Sequence, residues 1–223
     1  MDSIYRGDLS SAKGRRNAWI DSLLVDHAVL RLIWTNTATV RLGRLYRANH
    51  PTPARLASYV QKYGIRTIVN LRGQNASGSD ALSRAAAARL GLVQSDIAFK
   101  SSRAPERTLM LALIDALRAG PEPMLVHCKS GADRAGFAAG VYLLLTGGTA
   151  TEALAQMSWR HGHLRRSRAG ILDGVFIAFR DQAEARMDFA TWVACEYDPA
   201  AIGHPYGVLR AAAAVQDRLL HRE

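Results

Sequence analysis

The sequence predicts an α/β fold. One compact domain should hold a central, largely parallel sheet flanked by helices, with helical N- and C-terminal extensions. Three observations predict it. Short apolar runs and segments of helical spacing alternate three times along the chain. Glycine and proline punctuate the joints between them. The apolar run PMLVH passes through a short polar loop straight into an apolar helix, as in sheets built from parallel crossovers.

The elements follow in order. Residues 1–37 read as a polar lead-in and a helical arm: in AWIDSLLVDHAVLRLIW, Ile20, Leu23, Leu24, Leu30 and Trp34 fall near one side, interrupted by His27 and Arg31. Trp19 and Trp34 are expected to pack with these leucines against the domain. TVRLGRLYRAN alternates like a strand or hairpin. Thr52 N-caps a helix that has Pro53 in its first turn and Gly64 at its end. IRTIVNLR is a short strand, GQNASGSD a loop and DALSRAAAARLG a helix closed by Gly91. LVQSDIAF gives another strand and FKSSRAP a polar loop, after which Pro105 opens the helix PERTLMLALIDALRAG. PMLVH, the loop CKSGADR and the helix AGFAAGVYLLLTGG come next, then ATEALAQMSWRHG and further helices. The expected division is an arm over 1–37, a main domain over 38–165 and a helical extension of the same domain over 166–223.

Composition narrows the function classes. The 223 residues are 48% hydrophobic and 22% charged, the balance of a folded soluble chain. Twenty-nine Lys and Arg against 19 Asp and Glu leave a formal charge of +10, which favours anionic partners. Only Lys13, Lys62, Lys100 and Lys129 are lysines, and the cations are scattered. With neither a basic stripe nor an aromatic-rich sheet pattern, no nucleic-acid partner is expected. Cys128 and Cys195 make no disulfide framework, and no secretory core opens the chain. Its apolar stretches are too short or too interrupted to cross a bilayer, so a cytoplasmic protein without stable membrane insertion is expected.

The chemistry sits in Val126-His127-Cys128-Lys129-Ser130-Gly131-Ala132-Asp133-Arg134. A buried strand enters Cys128 and a helix begins near Arg134, so the loop lies at a helix N-terminus, where backbone N–H groups lack partners and the dipole is positive. Consecutive inward amides there form a nest for a tetrahedral anion, and Gly131 gives the turn its freedom. Beside that nest and Arg134, the Cys128 sulfur is expected as thiolate, able to attack phosphorus in line. Arg134 offers a planar fork to two phosphate oxygens, which a lysine cannot match. Cys128 and Arg134 are therefore catalytic candidates. Lys129, Ser130, Gly131, Ala132 and Asp133 are phosphate-binding candidates, and amides plus guanidinium supply the positive field with no metal or other cofactor.

The string HCKSGADRAG resembles the active-site loop of the cysteine-dependent protein tyrosine and dual-specificity phosphatases, in a bacterial branch of that superfamily. LYRANHPTP, TIVNLRG, FKSSRAPER and QMSWRHGH resemble the same branch, so the likeness spans roughly residues 40 to 165. It implies a phosphatase-type domain that hydrolyses phosphomonoesters through a cysteinyl-phosphate, with phosphotyrosine or dual-specificity protein substrates preferred. Inositol phosphates or other small polyphosphates are the alternative. In such enzymes an Asp commonly lies about thirty residues before the Cys and protonates the leaving oxygen, which points to Asp96. Asp133 is the rival, because some phosphoinositide phosphatases carry an Asp just before the loop Arg; its other reading is to pin the loop. Glu106 reads more simply as a helix-start carboxylate. Ala135 stands where the family usually has Ser or Thr, whose hydroxyl helps the thiolate leave, so either a slower second step or a water in the hydroxyl's place is expected.

Lys129, with Lys100 and Arg103 from the neighbouring loop, would favour a highly anionic substrate, and Arg103 joins the phosphate-binding set. Asn70 and Arg72 end a strand at the edge where such sheets collect ligands; they could line the pocket or brace the Cys loop, and bracing is the expected role. His127 is expected to orient that loop. His161 and His163 lack a third ligand at metal spacing and read as helix-end histidines, and Cys195 as a core or surface thiol. Two other functions remain in play. One is a phospho-binding module without turnover; the other is rhodanese-like sulfur transfer, whose loops usually differ in length.

Overall fold

The computed structural model describes residues 5, 7–25, 34–209 and 212. Its sheet has five strands: β1 (Ala38–Arg41), β2 (Leu45–Asn49), β3 (Thr67–Asn70), β4 (Val93–Asp96) and β5 (Met124–Cys128). They lie in the order β1-β2-β5-β3-β4. The hairpin β1–β2 is antiparallel and every other pairing is parallel. The α/β architecture with a largely parallel sheet is the one the sequence predicts.

Side chains alternate across the sheet, so each strand feeds two layers. Met124, Val126 and Cys128 belong to one core, with Leu45 and Val69. Leu125, Tyr46, Ala48 and Ile68 belong to the other. The second core is covered by α2 (Pro53–Tyr63) and α3 (Gly78–Arg89) through Leu56, Tyr59, Ala86 and Ala87. Thr52 caps α2 by accepting from the Arg55 amide, and Gly64 ends it at φ 68°. Ser77 caps α3, which therefore starts two residues earlier than the sequence pattern indicated.

The first core is covered by α4 (Arg107–Ala119), α5 (Asp133–Leu145), α6 (Ala150–Ala155), α7 (Ile171–Gln182) and α8 (Phe189–Cys195). The helix opened by Pro105 begins at Arg107. α5 is buried from Asp133 to Leu144, which explains why its sequence shows no polar stripe. Phe176, Phe179, Phe189 and Trp192 of α7 and α8 join Phe137 and Val141 in one continuous core. The C-terminal segment thus closes the layer over α5. Residues 210, 211 and 213–223, where further helices are expected, lie outside the described residues.

The arm departs from expectation. Its helix, α1, runs from Ala12 to Ile20 and continues as a π turn over Asp21–Val25, while residues 26–33, Leu30 among them, lie outside the described set. Trp19, Leu24 and Trp34 are 37%, 56% and 44% exposed rather than packed. A small apolar cluster of Tyr5, Ala18 and Leu82, with Leu9 and Ala81 against it, docks the arm together with polar contacts. The Asp21 carboxylate accepts from the Gly78 amide at 2.7 Å, capping α3, and a Cβ on Gly78 would lie 2.2 Å from the Ala18 carbonyl oxygen. No helix among the described residues is long and apolar enough to cross a membrane.

Candidate active site

Parallel register places Asn49 opposite Cys128, Asn70 opposite His127, and Asp96 opposite Asn70. The carboxyl ends of β2, β5, β3 and β4 thus form one edge, and the loop 129–132 leaves that edge to start α5. Gly131 makes the turn possible. It has φ +73°, and a Cβ there would sit 2.6 Å from the Asn49 nitrogen and 2.7 Å from the Ala48 carbonyl carbon.

The loop's carbonyls are held from behind. Asn36 donates from Nδ2 to the Ser130 carbonyl at 2.9 Å. Arg47 donates from Nη2 to the carbonyls of Gly131 and Ala132, both at 2.8 Å, and from Nη1 to Gln156 at 2.7 Å. A peptide plane points its C=O and the following N–H in opposite directions. Fixing these three carbonyls therefore turns the amides of Gly131, Ala132 and Asp133 the other way. The Gly131 amide accordingly donates to Cys128 Sγ at 3.2 Å. The Gly131 amide thus faces a buried thiol, 2% exposed, at the positive end of a helix, while the Ala132 amide donates to Ser130 Oγ at 3.4 Å.

Arg47 is itself fully buried, and Gly136 leaves it room: a Cβ there would be 2.9 Å from Nη2. Burial pulls its proton affinity down, to about 10, while the charges of Cys128 and Asp133 act against that, so it is cationic at neutral pH. Asn36 sits at φ 48°, a conformation asparagine tolerates. Its Nδ2 also donates to the His161 carbonyl at 2.9 Å, and its Oδ1 pairs with His161 Nδ1 at 3.2 Å. Burial and the Arg47 charge hold His161 below the usual histidine range, favouring the neutral ring.

Asp133 points into the protein. Its Oδ1 meets His163 Nδ1 at 2.8 Å, and His163 Nε2 meets Asp173 Oδ2 at 2.6 Å. All three residues are at most 2% exposed. Burial opposes a charge on His163, but the hydrogen bonds and charges of both carboxylates outweigh it and raise its pKa to about 9. His163 is thus a buried cation between two helices rather than the helix-end residue expected.

Arg134 starts in the first turn of α5 and ends in a cavity of about 260 Å³. Its Nη1 donates to the carbonyls of Leu71 and Phe99 at 3.2 and 3.3 Å. Arg72, Lys100, Arg103, Glu106, Phe99, Pro105 and Leu109 line the same cavity. Lys100 and Arg103 thus share this cavity with Arg134. Arg72 lines the cavity, whereas Asn70 braces the edge: its Oδ1 accepts from the Arg72 amide at 3.1 Å and its Nδ2 donates to Asp96 at 2.9 Å.

Asp96 is elsewhere. It accepts from Arg84 at 2.8 and 3.1 Å and from Gln94 at 3.2 Å, and neither it nor Cys128 is among the residues that line the Arg134 cavity. Partial burial works against its charge, but the bonds from Arg84, Gln94 and Asn70 outweigh it and hold the carboxyl below its usual range. Those bonds favour the ionised carboxylate over the protonated one. Glu106 is the N-cap residue of α4, as a helix-start carboxylate should be; its side chain makes no capping bond, and the residue also lines the cavity. Cys195 is an exposed free thiol. His127 is buried, with its ring edge-on to His50 at 5.0 Å. Arg47, Asn36 and Asp173 escaped sequence reasoning. The one signal for Arg47 was a charge in the middle of the apolar strand LYRAN.

Among solved structures the chain is similar to a DUF442 protein from Shewanella putrefaciens CN-32, at 17% identity over 69% of this chain and 98% of that one, TM-score 0.52. It is similar to the catalytic core of Siw14, at 20% identity over 67% and 86%, TM-score 0.51; the S. cerevisiae protein is described as a PP-IP phosphatase. TpbA from P. aeruginosa, solved in complex with pTyr, is 21% identical over 65% and 94%, TM-score 0.46. No curated protein matches the chain in sequence. Residues 37–170, which carry the sheet, the carbonyl-pinned loop and the cavity, match the family described as PTP-SAK: Swiss Army Knife protein, DSP-PTPase phosphatase domain, and the chain belongs to that family.

Proposed function

We propose that this phosphatase domain hydrolyses phosphomonoesters through a cysteinyl-phosphate. Cys128 Sγ attacks phosphorus in line, the P–O bond to the leaving group breaks, and the leaving oxygen takes a proton from a carboxylic acid. Water then attacks the phosphocysteine, the same carboxylate takes its proton, and the S–P bond breaks to return the thiolate. Arg134 and the amides of the loop from Lys129 to Asp133 hold the equatorial oxygens throughout. The observation that carries this reading is the restraint of three consecutive loop carbonyls by Asn36 and Arg47, which presets the donors before any anion arrives.

Glu106 is our proton donor in place of Asp96, because it lines the cavity that the Arg134 guanidinium enters while Asp96 is held by Arg84. Phe99, Pro105 and Leu109 offer an apolar wall suited to a phosphotyrosine ring, which supports aryl or protein phosphoester substrates. A second reading, small polyphosphates such as inositol phosphates, is favoured by Arg72, Lys100 and Arg103 on the same cavity. A panel of phosphotyrosyl peptides, phosphoseryl peptides and inositol phosphates tests both. Selective turnover of the first class upholds the aryl reading, of the last the polyphosphate one. Wild-type protein that binds phosphate tightly but turns over none of them leaves only capture of phosphorylated partners.

A further inference from the structure

Asp133 sets a problem for an anion cradle. Its backbone amide is turned toward the site, yet its side chain is a carboxylate one residue from Arg134, inside the positive end of α5. An ionised Asp here would repel the dianion that the loop is built to hold. The side chain takes another course, through His163 to Asp173, across the packed faces of α5 and α7.

Resting on the phosphoryl-binding role of this loop, we propose that His163 is a positioning residue. Clamped between Asp133 and Asp173, it holds the Asp133 carboxylate turned away from the cradle and cancels its charge, so that the loop accepts a phosphoryl group. The surrounding charges fit this role. Two carboxylates face one ring, which leaves one negative charge to balance; Arg165 Nε lies 3.5 Å from Asp173 Oδ1, and the Tyr206 hydroxyl acts on Asp173 from the C-terminal side. On the opposite flank the Arg47 charge reaches Asp133. The imidazolium is therefore the middle of a chain of alternating charge that runs from the buried Arg47 to Arg165 at the surface. Both ring nitrogens are engaged, so His163 has no nitrogen left to touch substrate and acts only through Asp133.

The test is a double-mutant cycle read by calorimetric titration of the full chain with inorganic phosphate. At pH 7, His163→Gln is expected to weaken phosphate binding by about 10-fold, since glutamine can keep a hydrogen bond but not the charge. In the Asp133→Asn background the same change is expected to cost less than about 3-fold, because no charge remains to be cancelled. An equal loss in both backgrounds, or none in the first, overturns the proposal. Should His163→Gln alone fail to fold, the comparison of Asp133→Asn with the double variant decides: similar affinities uphold the charge role, and a double variant about 10-fold weaker overturns it. Wild type that binds no phosphate would instead sink the phosphatase reading itself, and turnover plays no part in the measurement.

Discussion

Arg47 Nη2 donates at 2.8 Å to the carbonyl of Gly131, from a guanidinium with no exposed surface. A charge so placed is costly to bury, and its three carbonyl partners are what offset the cost. It joins the β2 strand, the loop and the residue following α6 into one unit.

Replacing Arg47 with Met removes those three bonds and leaves buried carbonyls without partners. The expected loss is on the order of 3 kcal/mol of stability, read by denaturant unfolding. Arg47→Lys should recover only part of it, since one ammonium cannot span three carbonyls in the guanidinium plane. Phosphate binding should fall in both variants, because the loop amides lose their fixed direction.

Gly131→Ala forces an L side chain into a left-handed position, a strain of about 1–2 kcal/mol, and drives its Cβ into the end of β2. The loop must shift to accept it. Turnover of p-nitrophenyl phosphate should drop at least about 100-fold while the circular dichroism of the fold is kept. A variant with near wild-type turnover would show that the tight turn is dispensable.

Removing a proton donor hurts poor leaving groups most. Glu106→Gln should slow hydrolysis of an alkyl phosphate by roughly 100-fold and that of p-nitrophenyl phosphate far less. Asp96→Asn should show no such dependence on the leaving group, only some loss of stability through Arg84. The reverse pattern would restore Asp96 to the role its sequence position suggests.

His163 links the site to pH. Its pKa is raised in the fold, so its stabilising contribution is fully present below the unfolded value of about 6.5 and is lost as pH rises through about 9. For this buried group the effect is on the order of 3 kcal/mol. Unfolding free energies at pH 6 and pH 9.5 should differ by more in wild type than in His163→Gln.

Much of this was legible in the sequence because it is local. Thr52, Pro53 and Gly64 state the limits of α2 by cap chemistry alone, and the strand–loop–helix around Cys128 needs only its own residues. What stayed hidden depends on long-range pairing. Arg47 reaches a loop more than eighty residues away, and Asp133 meets His163 thirty residues on, so no local pattern announces either. Asp96 was placed by its distance in sequence from Cys128, but Arg84, one helix back, decides its charge and direction. The arm misled for a simpler reason: its tryptophans looked like core, while Ala18, Tyr5 and Leu9 cluster with Leu82 of α3 and Asp21 caps that helix.

Every step proposed for this site passes through a covalent phosphoryl group on Cys128. Rapid quench of the enzyme with phosphorus-labelled substrate, followed by peptide mapping, tests it most directly. Label should appear on the Cys128 peptide within the first turnover. It should accumulate in the steady state, because Ala135 offers no hydroxyl to the departing thiolate. Full turnover with no label on that peptide, or with Cys128→Ser as active as wild type, would contradict it.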